Sequence, residues 1–407
     1  MSRSFDIDAI RSEFPILSRE VNGKPLVYLD NAASAQKPEA VIEAMAGQMR
    51  HAYANVHRGL HTLANETTEA FESTRETVRG FLNARSVEEI IFTKGATEAI
   101  NLVAAGLAEC IQPGDEIVLS IMEHHSNIVP WHFLRERQGA VLKWVGLTED
   151  GALDMDALEA AIGPKTRMVA LTHMSNVLGT VTNARRIVEI AHAAGAEVLL
   201  DGCQSAVHLD VDVQEIGCDY FVFSGHKIYG PTGMGILYGR REKLDAMRPY
   251  QGGGEMIEIV ATDRVTYNSA PHRFEAGTPP IIEAIGLGAA IGWLSTFARS
   301  EIRAHEERLY SCAREAVRSV NGVRVHGEAE GKGAVLAFSI EGAHPHDLAQ
   351  IMDKFGVAIR AGHHCAQPLM SHLGVSATAR ASFGIYNTED EVNVFAEALG
   401  KAARMLL

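Results

Sequence analysis

The sequence has few cysteines, no long apolar run and a deficit of basic residues, and each shortage excludes a class of protein. Its five cysteines include no Cys-x-x-Cys pair, which argues against a disulfide scaffold and leaves at least one thiol free. No window of about 20 apolar residues occurs, so no segment is predicted to span a bilayer. The net charge of −14 argues against nucleic acid or an anionic membrane as the main partner.

The first 14 residues mix Arg, Asp and Glu with isolated apolar residues. They lack the continuous apolar core of a secretory signal, which favours a cytoplasmic protein. The length of 407 residues and the apolar content of 46% predict one large domain with a smaller companion. No internal repeat, low-complexity tract or long linker divides the sequence.

Short apolar runs alternate with amphipathic stretches from about residue 25 to residue 295. This alternation predicts an α/β fold with a mainly parallel sheet covered on both faces. We expect the segment 252–278 to be an ordered excursion. The predicted strands are 26–29, 90–93, 117–120, 141–145, 168–171, 197–200 and 220–223, and helices are predicted at 156–162 and 185–194.

The pattern changes after about residue 295 and becomes that of a compact α+β unit. We predict a large domain over residues 25–295 and a small domain formed by residues 1–24 and 296–407. The predicted elements of the small domain are helix 300–319, strand 335–340, helix 346–355, strand 357–360 and a closing helix from about residue 389.

Four of the five cysteines stand in apolar or helical surroundings, so we expect them to be small core residues: Cys110, Cys203, Cys218 and Cys312. Cys365 stands among polar and basic neighbours instead. Such a setting stabilises the thiolate form and makes a cysteine reactive. A thiol without a chemical role is the alternative that the sequence leaves open.

Lys227 ends the stretch Phe223-Ser224-Gly225-His226-Lys227, between one apolar run and a Gly-rich turn that opens another. A lysine held rigidly and partly desolvated has a lowered pKa, and its amine becomes available to form an imine. Asp201 ends the preceding apolar run, where its carboxylate can pair with a protonated ring nitrogen. A lysine and a carboxylate in these roles predict pyridoxal 5′-phosphate (PLP) as the cofactor.

Other residues have positions suited to the same cofactor. Ala96 and Thr97, at a predicted strand-to-helix turn, offer backbone N–H groups to a phosphate, although an ordinary capped loop has the same pattern. Ser224 and His226 can complete the phosphate shell. Gln204 is the predicted hydrogen-bond partner of the phenolic oxygen of the PLP ring. His124 can stack on the ring and assist proton transfer, and a purely structural histidine is the alternative.

Four features follow one another in a set order along the sequence: the phosphate turn, the stacking histidine, the carboxylate and the Ser-x-His-Lys motif. In this order the sequence resembles fold-type I PLP enzymes, and among them the class V aminotransferase-like group that includes cysteine desulfurases. The resemblance extends from Tyr28 to Arg380 and implies a seven-stranded, mainly parallel sheet with a smaller α+β domain. At Ala96 some relatives place a second hydroxyl residue, which leaves one side-chain contact to the phosphate open.

The segment Arg360-Ala361-Gly362-His363-His364-Cys365-Ala366 resembles the cysteine loop of group II, SufS-type desulfurases. The resemblance implies conversion of L-cysteine, with L-selenocysteine as an alternative substrate, to L-alanine, with a persulfide on Cys365 and with Lys227 and His124 as the other catalytic residues. SufS-type enzymes pass sulfur to an acceptor of the SufE or SufU kind for iron–sulfur cluster assembly. His346 is a hypothetical contact for an acceptor that carries zinc; a plain helix start is the alternative.

The same resemblance assigns the substrate-binding residues. Arg380 matches the arginine that holds the substrate α-carboxylate, for which a two-pronged guanidinium is suited. Without the resemblance, a structural ion pair is equally compatible with this arginine. Asn176, Arg360 and His57 belong to segments near the substrate. Thr278 resembles a threonine that reaches the phosphate of the partner subunit, which implies a homodimer.

Three alternatives stay open at this point. The neighbours His363, His364 and Cys365 are metal-ligand types, but adjacent residues in an extended loop point to opposite sides and no second cluster has suitable spacing, so we expect no metal. A selenocysteine lyase, a kynureninase-like enzyme or an aminotransferase would share most of these residues, although a transaminase has no use for Cys365. An inactive binding scaffold is disfavoured because the lysine, carboxylate and thiol are all retained.

Overall fold

Residues 3–407 are described by the computed structural model, and a seven-stranded sheet lies at the centre of the fold. Neighbouring strands run parallel, except that Gly235–Gly239 is antiparallel to both of its neighbours. Tyr220–Ser224 is buried along its whole length, as is typical of an apolar strand covered on both faces. The order across the sheet is Ile90–Thr93, Gly235–Gly239, Tyr220–Ser224, Glu197–Asp201, Thr166–Thr172, Glu116–Ser120 and Val141–Val145. The predicted α/β fold class is confirmed.

Helices cover the sheets, and the sequence marks many of their ends. Thr388 and Glu391 form a capping box that begins the last helix, and Gly139, with a φ of 75°, ends Val129–Gln138. The helices predicted in the middle and at the end of the chain lie within one residue of their predicted bounds. The α-helices of the described residues are Ile7–Ser12, Glu39–His51, Thr62–Leu82, Ala96–Leu107, Val129–Gln138, Met155–Ala161, Ala184–Ala193, Ser205–His208, Val213–Ile216, Arg241–Ala246, Ile281–Leu294, Arg299–Arg318, Pro345–Lys354, Gln367–Leu373 and Glu389–Leu406.

The C-terminal part contains a four-stranded antiparallel sheet with its own apolar core. Leu336, Phe338 and Phe395 are fully buried in that core. The sheet order is Val323–His326, Val335–Ile340, Thr378–Ser382 and Arg360–Gly362. The division of the chain at residues 24 and 295 stays a prediction.

The predicted strand 26–29 does not belong to the large sheet, and its placement there was wrong. Val27–Tyr28 pairs in parallel with Val357–Ala358, so this run lies against the C-terminal part of the chain. Leu29 is buried in the same apolar core as Phe338. An apolar run of this length can pair with either sheet, and long-range packing selects its partner. Two short hairpins complete the strands: Glu20–Val21 with Lys24–Pro25, and Ile257–Val260 with Val265–Tyr267.

Two of the four cysteines expected in the core are exposed. Cys203 and Cys218 are buried, but Cys110 and Cys312 are not. Cys110 lies beyond the end of helix Ala96–Leu107. Cys312 lies on helix Arg299–Arg318, outside the stripe that turns towards the core, since the buried side of that helix contains Leu309 and Ala313.

Within residues 3–407, no single helix is long and apolar enough to cross a membrane. Ile281–Leu294 and Arg299–Arg318 reach the necessary length and apolarity only when taken together, and they are bent by 85° at their junction.

Candidate active site

A cavity of about 340 Å³ opens where the carboxyl ends of the parallel strands meet. Asp201 is the last residue of its strand and Ser224 is the last residue of the next one. The structure therefore brings together side chains that are far apart in the sequence. The predicted site residues that line the cavity are Ala96, Thr97, His124, Asn176, Asp201, Ser224, His226, Lys227, Arg360, Cys365 and Arg380.

Lys227 ends a short 3₁₀ turn, Gly225–Lys227, directly after the strand Tyr220–Ser224. The turn is held at both ends: Gly225 N–H donates to the Met234 carbonyl at 2.8 Å, and the His226 carbonyl accepts from Ala35 N–H at 3.1 Å. Burial, and after it the charge of Lys227, lower the pKa of His226 to about 4. The imidazole is therefore neutral at pH 7.

Asp201 lies in the same cavity as Lys227 and is almost completely buried, with 5% of its surface exposed. Its Oδ1 accepts a hydrogen bond from Cys203 N–H at 3.0 Å, which orients the carboxylate. The condition on which the cofactor prediction depended is therefore met: the amine and the carboxylate face one cavity.

The phosphate turn precedes helix Ala96–Leu107, whose first residue donates its N–H to Ser224 Oγ at 2.9 Å. Gly95 has a φ of 154°, and a Cβ added to Gly235 on the neighbouring strand would overlap the Gly95 backbone. Glycine is required at position 235 because a Cβ has no room there, and it is favoured at position 95 by a φ that residues with a Cβ rarely adopt. The turn thus aims a helix N-terminus, which favours anions, at the cavity.

His124 precedes a 3₁₀ turn and is held by its own loop. Its Nδ1 accepts from Ser126 N–H at 3.1 Å, so the proton of the neutral ring lies on Nε2. Burial first, and then the charge of Lys227, lower the pKa of His124 to about 4. The neutral ring can donate a hydrogen bond into the cavity at pH 7.

Arg380 is 1% exposed and lies on strand Thr378–Ser382. Its Nη1 donates to the Asn176 carbonyl at 2.8 Å and its Nη2 donates to Asp30 Oδ1 at 3.1 Å. Its Nε is buried and has no partner within residues 3–407. Burial lowers the pKa of Arg380 to about 10, and the group is still charged at pH 7. A carboxylate ligand would satisfy the remaining donor.

The cysteine loop has an unusual backbone. His364 and Cys365 have φ values of 51° and 55°, a left-handed conformation that costs non-glycine residues about 1–2 kcal/mol each. Two contacts hold it: Asn176 Nδ2 donates to the His364 carbonyl at 2.9 Å, and His125 N–H donates to the Cys365 carbonyl at 2.6 Å. The loop that presents the thiol is therefore fixed by the segments of Asn176 and His124.

Three predicted site residues lie outside the cavity lining. Gln204 is buried and its side-chain N–H donates to the Ala32 carbonyl at 2.9 Å. His57 Nε2 lies 2.8 Å from Glu72 Oε1. Thr278 lines a separate, smaller cavity of about 80 Å³. None of these three residues lines the cavity of Lys227, although Ala32, the partner of Gln204, does.

Several lining residues escaped the sequence reasoning, among them Asp30, Ser126 and His364. Asp30 follows the apolar run 26–29, the same signal that identified Asp201, and could have been found in this way. The sequence marks His364 as a metal-ligand type, whereas its Nε2 lies 3.0 Å from Thr378 Oγ1 and its ring is buried. Burial first, and Arg380 next, lower the pKa of His364 to about 3.

These residues fit PLP. The neutral His226, the Ser224 hydroxyl and the helix N-terminus at Ala96 form a donor set for a phosphate, and the absence of a side chain at Gly95 leaves room beside it. Asp201 suits a protonated ring nitrogen, and Lys227 suits an aldehyde carbon.

Comparison with known proteins gives this arrangement a family. The family described as Aminotransferase class-V matches residues 27–395. The chain belongs to this family. A relative described as a probable cysteine desulfurase from Halalkalibacterium halodurans is 50% identical over 96% of this chain and 97% of the relative. The cysteine desulfurase of Klebsiella pneumoniae (strain 342) is 49% identical over 99% of this chain and 100% of the relative.

Two solved structures are similar over the full length of both chains. The cysteine desulfurase CsdA of Escherichia coli, in an S-sulfonic acid form, superposes with a TM-score of 0.93 at 40% identity, covering 100% of each chain. The apo cysteine desulfurase of Thermococcus onnurineus NA1 gives a TM-score of 0.94 at 36% identity, again with 100% coverage of each chain. The predicted fold type of the class-V family is therefore confirmed.

Proposed function

We propose that Cys365 receives the sulfur atom of L-cysteine while Lys227, Asp201, His124 and Arg380 carry out the remaining steps of desulfuration. The chain is a PLP-dependent cysteine desulfurase, since relatives with that activity share about half of its residues over nearly the whole length, as the sequence resemblance implied. The observation that carries the residue assignment is the shared cavity of Lys227 and Cys365.

Each residue at the cofactor position has a separate task. Lys227 would hold the aldehyde carbon and later move the proton of the substrate Cα, and Asp201 would keep the ring nitrogen protonated. Ala96, Thr97, Ser224 and His226 surround the proposed phosphate position. When bound, PLP accepts the electron pair released at the substrate Cα.

Arg380 is the residue that orients the substrate in this proposal. Its buried Nε lacks a partner within the described residues, and its guanidinium is fixed by Asn176 and Asp30. A carboxylate bound to this edge would place the rest of the amino acid towards Lys227. Arg360, whose Nε donates to Asp30 at 3.1 Å, adds positive charge to the same side. We therefore assign recognition of the α-carboxylate to Arg380, supported by Arg360 and Asn176.

The sulfur transfer step uses the thiol. The Cys365 thiolate attacks the substrate sulfur, an S–S bond forms, and the C–S bond breaks with its electron pair staying on the substrate carbon. That carbon takes up a proton and leaves as part of L-alanine, while a persulfide remains on Cys365. The Nε2–H of His124 is suited to donate a proton or a hydrogen bond next to the sulfur.

Cys365→Ala tests the role of the thiol. We expect loss of alanine formation from L-cysteine with full retention of the cofactor absorbance, because Lys227 is untouched. Lys227→Ala should lose the absorbance of the lysine-bound cofactor, and the exposed Cys312→Ala serves as the control with unchanged activity. Undiminished transfer of sulfur from cysteine by Cys365→Ala would contradict the persulfide step.

The finer classification also belongs to this proposal. The loop Arg360 to Ala366 supports a SufS-type enzyme with an acceptor of the SufE or SufU kind for iron–sulfur cluster assembly in the cytoplasm. Thr278 is exposed and lines a cavity other than that of Lys227 in the single chain, which supports a homodimer in which it reaches the partner's phosphate. Crosslinking through a cysteine at residue 278 would test that contact.

His346 stays a proposed acceptor contact. It lies in the first turn of helix Pro345–Lys354, where its N–H donates to His344 Nδ1 at 3.2 Å, so the helix-start interpretation accounts for its backbone. Its ring lies near Gly362 of the cysteine loop, which supports a role at the mouth of the site. Equal acceptor affinity of His346→Ala and the parent protein would contradict that role.

A further inference from the structure

A group of three possible metal ligands lies at the outer side of the cysteine loop. Each of three residues offers one ligand atom, and the three atoms lie within 4.8 Å of one another: His125, His363 and Cys365. Cys365 also lines the main cavity, whereas the other two residues do not. The thiol therefore lies between the cavity and a pair of imidazoles at its rim.

The structure explains why the sequence argument missed this group. Adjacent side chains of the loop do point to opposite sides, and His364 turns inward to Thr378. The second histidine comes from another segment: His125, whose N–H donates to the Cys365 carbonyl at 2.6 Å. This backbone contact brings an imidazole next to the thiol that no spacing rule could reveal.

One backbone N–H donates to each imidazole. His363 Nδ1 accepts from Cys365 N–H at 3.1 Å, and His125 Nε2 accepts from Gln367 N–H at 3.2 Å. The proton of each neutral ring therefore lies on its other nitrogen, and a metal has to take the lone pair that this hydrogen bond uses or bind after the proton has shifted within the ring. Binding of a metal therefore replaces one hydrogen bond of each ring by a metal–nitrogen bond.

Two imidazoles and a thiolate are the ligands preferred by Zn²⁺ and similar borderline-soft cations. Three protein ligands leave the fourth tetrahedral position open, and water or a substrate thiol can fill it. Ligand distances of about 2.0–2.3 Å require the side chains to close in by about an ångström, which the exposed His363 can do.

We propose that His125, His363 and the Cys365 thiolate form an inhibitory site for Zn²⁺ or a cation of similar softness. Binding forms a metal–sulfur bond, releases the thiol proton to solvent and involves no change in oxidation state. The metal occupies the sulfur lone pair that would attack the substrate. Capture of the ion depends only on the three ligands, whereas inhibition rests on the role of Cys365 proposed above.

The first experiment titrates purified, reduced holoenzyme with ZnCl₂ in a calorimeter, without substrate, so that free cysteine cannot bind the metal. His363→Asn keeps an acceptor for Cys365 N–H and removes the imidazole. His125→Gln keeps an acceptor for Gln367 N–H and removes the imidazole. Each variant should raise the Kd for zinc at least about tenfold. His51→Gln, at an exposed helix end, is the matched control with an unchanged Kd.

The second experiment follows alkylation of Cys365 by iodoacetamide, with the modified peptide quantified by mass spectrometry. Saturating Zn²⁺ should slow alkylation of the parent protein at least about tenfold, Mg²⁺ should not, and a chelator should restore the rate. In His363→Asn the protection should disappear. Unchanged zinc affinity in either variant, or alkylation that Zn²⁺ does not slow, would overturn the site.

The activity assay separates this inference from the proposed function. Zn²⁺ should inhibit desulfuration by the parent protein, whereas desulfuration by His363→Asn should continue in the presence of Zn²⁺. Should Cys365→Ala still transfer sulfur fully, the proposed function fails, but zinc affinity and thiol protection remain measurable because neither uses substrate. Should Cys365→Ala be inactive while zinc affinity is the same in all variants, only the metal site fails.

Discussion

Arg380 Nη2 donates a 3.1 Å hydrogen bond to Asp30 Oδ1, and this contact gives a buried cation next to the cavity its single carboxylate partner within residues 3–407. Arg360 shares the same carboxylate, with its Nε 3.1 Å from each oxygen. Two guanidinium groups thus surround one carboxylate. The surplus positive charge is what a substrate carboxylate requires.

Asp30→Asn should destabilise the protein because it leaves the charge of Arg380 buried without compensation. We expect the free energy of unfolding to fall by about 1–3 kcal/mol, as for removal of a charged partner from a buried donor. Urea unfolding of both proteins measures the change, with Asp263→Asn in an exposed segment as the control. Equal stability of the Asp30 and Asp263 variants would show that the ion pair contributes nothing.

The histidines predict a pH dependence of stability. Burial is the main cause of a lowered pKa in five histidines. The pKa is about 4 in the first four and about 3 in the last: His124, His173, His226, His326 and His364. Unfolded histidines take up protons near pH 6.5, so between about pH 6.5 and 4 the unfolded chain binds more protons. Stability should be complete above pH 6.5 and fall as the pH is lowered through this range.

His364→Gln checks this prediction. Glutamine keeps a donor for Thr378 but cannot take up a proton. The slope of the free energy of unfolding against pH should therefore decrease by at most about 1.4 kcal/mol per pH unit. Urea unfolding at pH 7.5, 6.5 and 5.5 gives the slope. The exposed His51→Gln should leave it unchanged. A parent protein equally stable at pH 7.5 and 5.5 would contradict the assignment.

Residue 365 should show backbone strain. Its φ of 55° is open to glycine but costly for a residue with a Cβ. Cys365→Gly should therefore be more stable than Cys365→Ala, by about 1 kcal/mol, although both lack the thiol. Denaturant unfolding of the two variants measures this difference in stability. A more stable alanine variant would mean that the loop relaxes to a conformation without backbone strain.

The contact between Gly235 and Gly95 should be essential for cofactor binding. Gly235→Ala would drive a Cβ into the Gly95 backbone and displace the phosphate turn. We expect lower stability and reduced PLP content, read from the visible absorbance. Gly80→Ala, in helix Thr62–Leu82 with open space around it, should instead stabilise by about 0.5–1 kcal/mol. A Gly235 variant with full PLP content would exclude this packing role.

Some features of the site could be predicted because their signals are local. Lys227 and Asp201 each follow an apolar run, and the carboxyl ends of parallel strands share one edge of a sheet, so their proximity was expected. Gln204 was expected from its position shortly after Asp201, and His57 from the resemblance alone. The structure gives both of them other partners. The exposed Cys312 shows the limit of judging burial from apolar neighbours alone.

By itself, the sequence determined the alternation of strands and helices, the fold class and the set of reactive side chains, because these depend on the periodicity and chemistry of neighbouring residues. Only the tertiary structure decided that Val27–Tyr28 joins the C-terminal strands and that His125 lies beside Cys365. Both depend on backbone hydrogen bonds between distant segments. Such pairings follow from how the two parts of the chain pack, and no pattern within either segment records them.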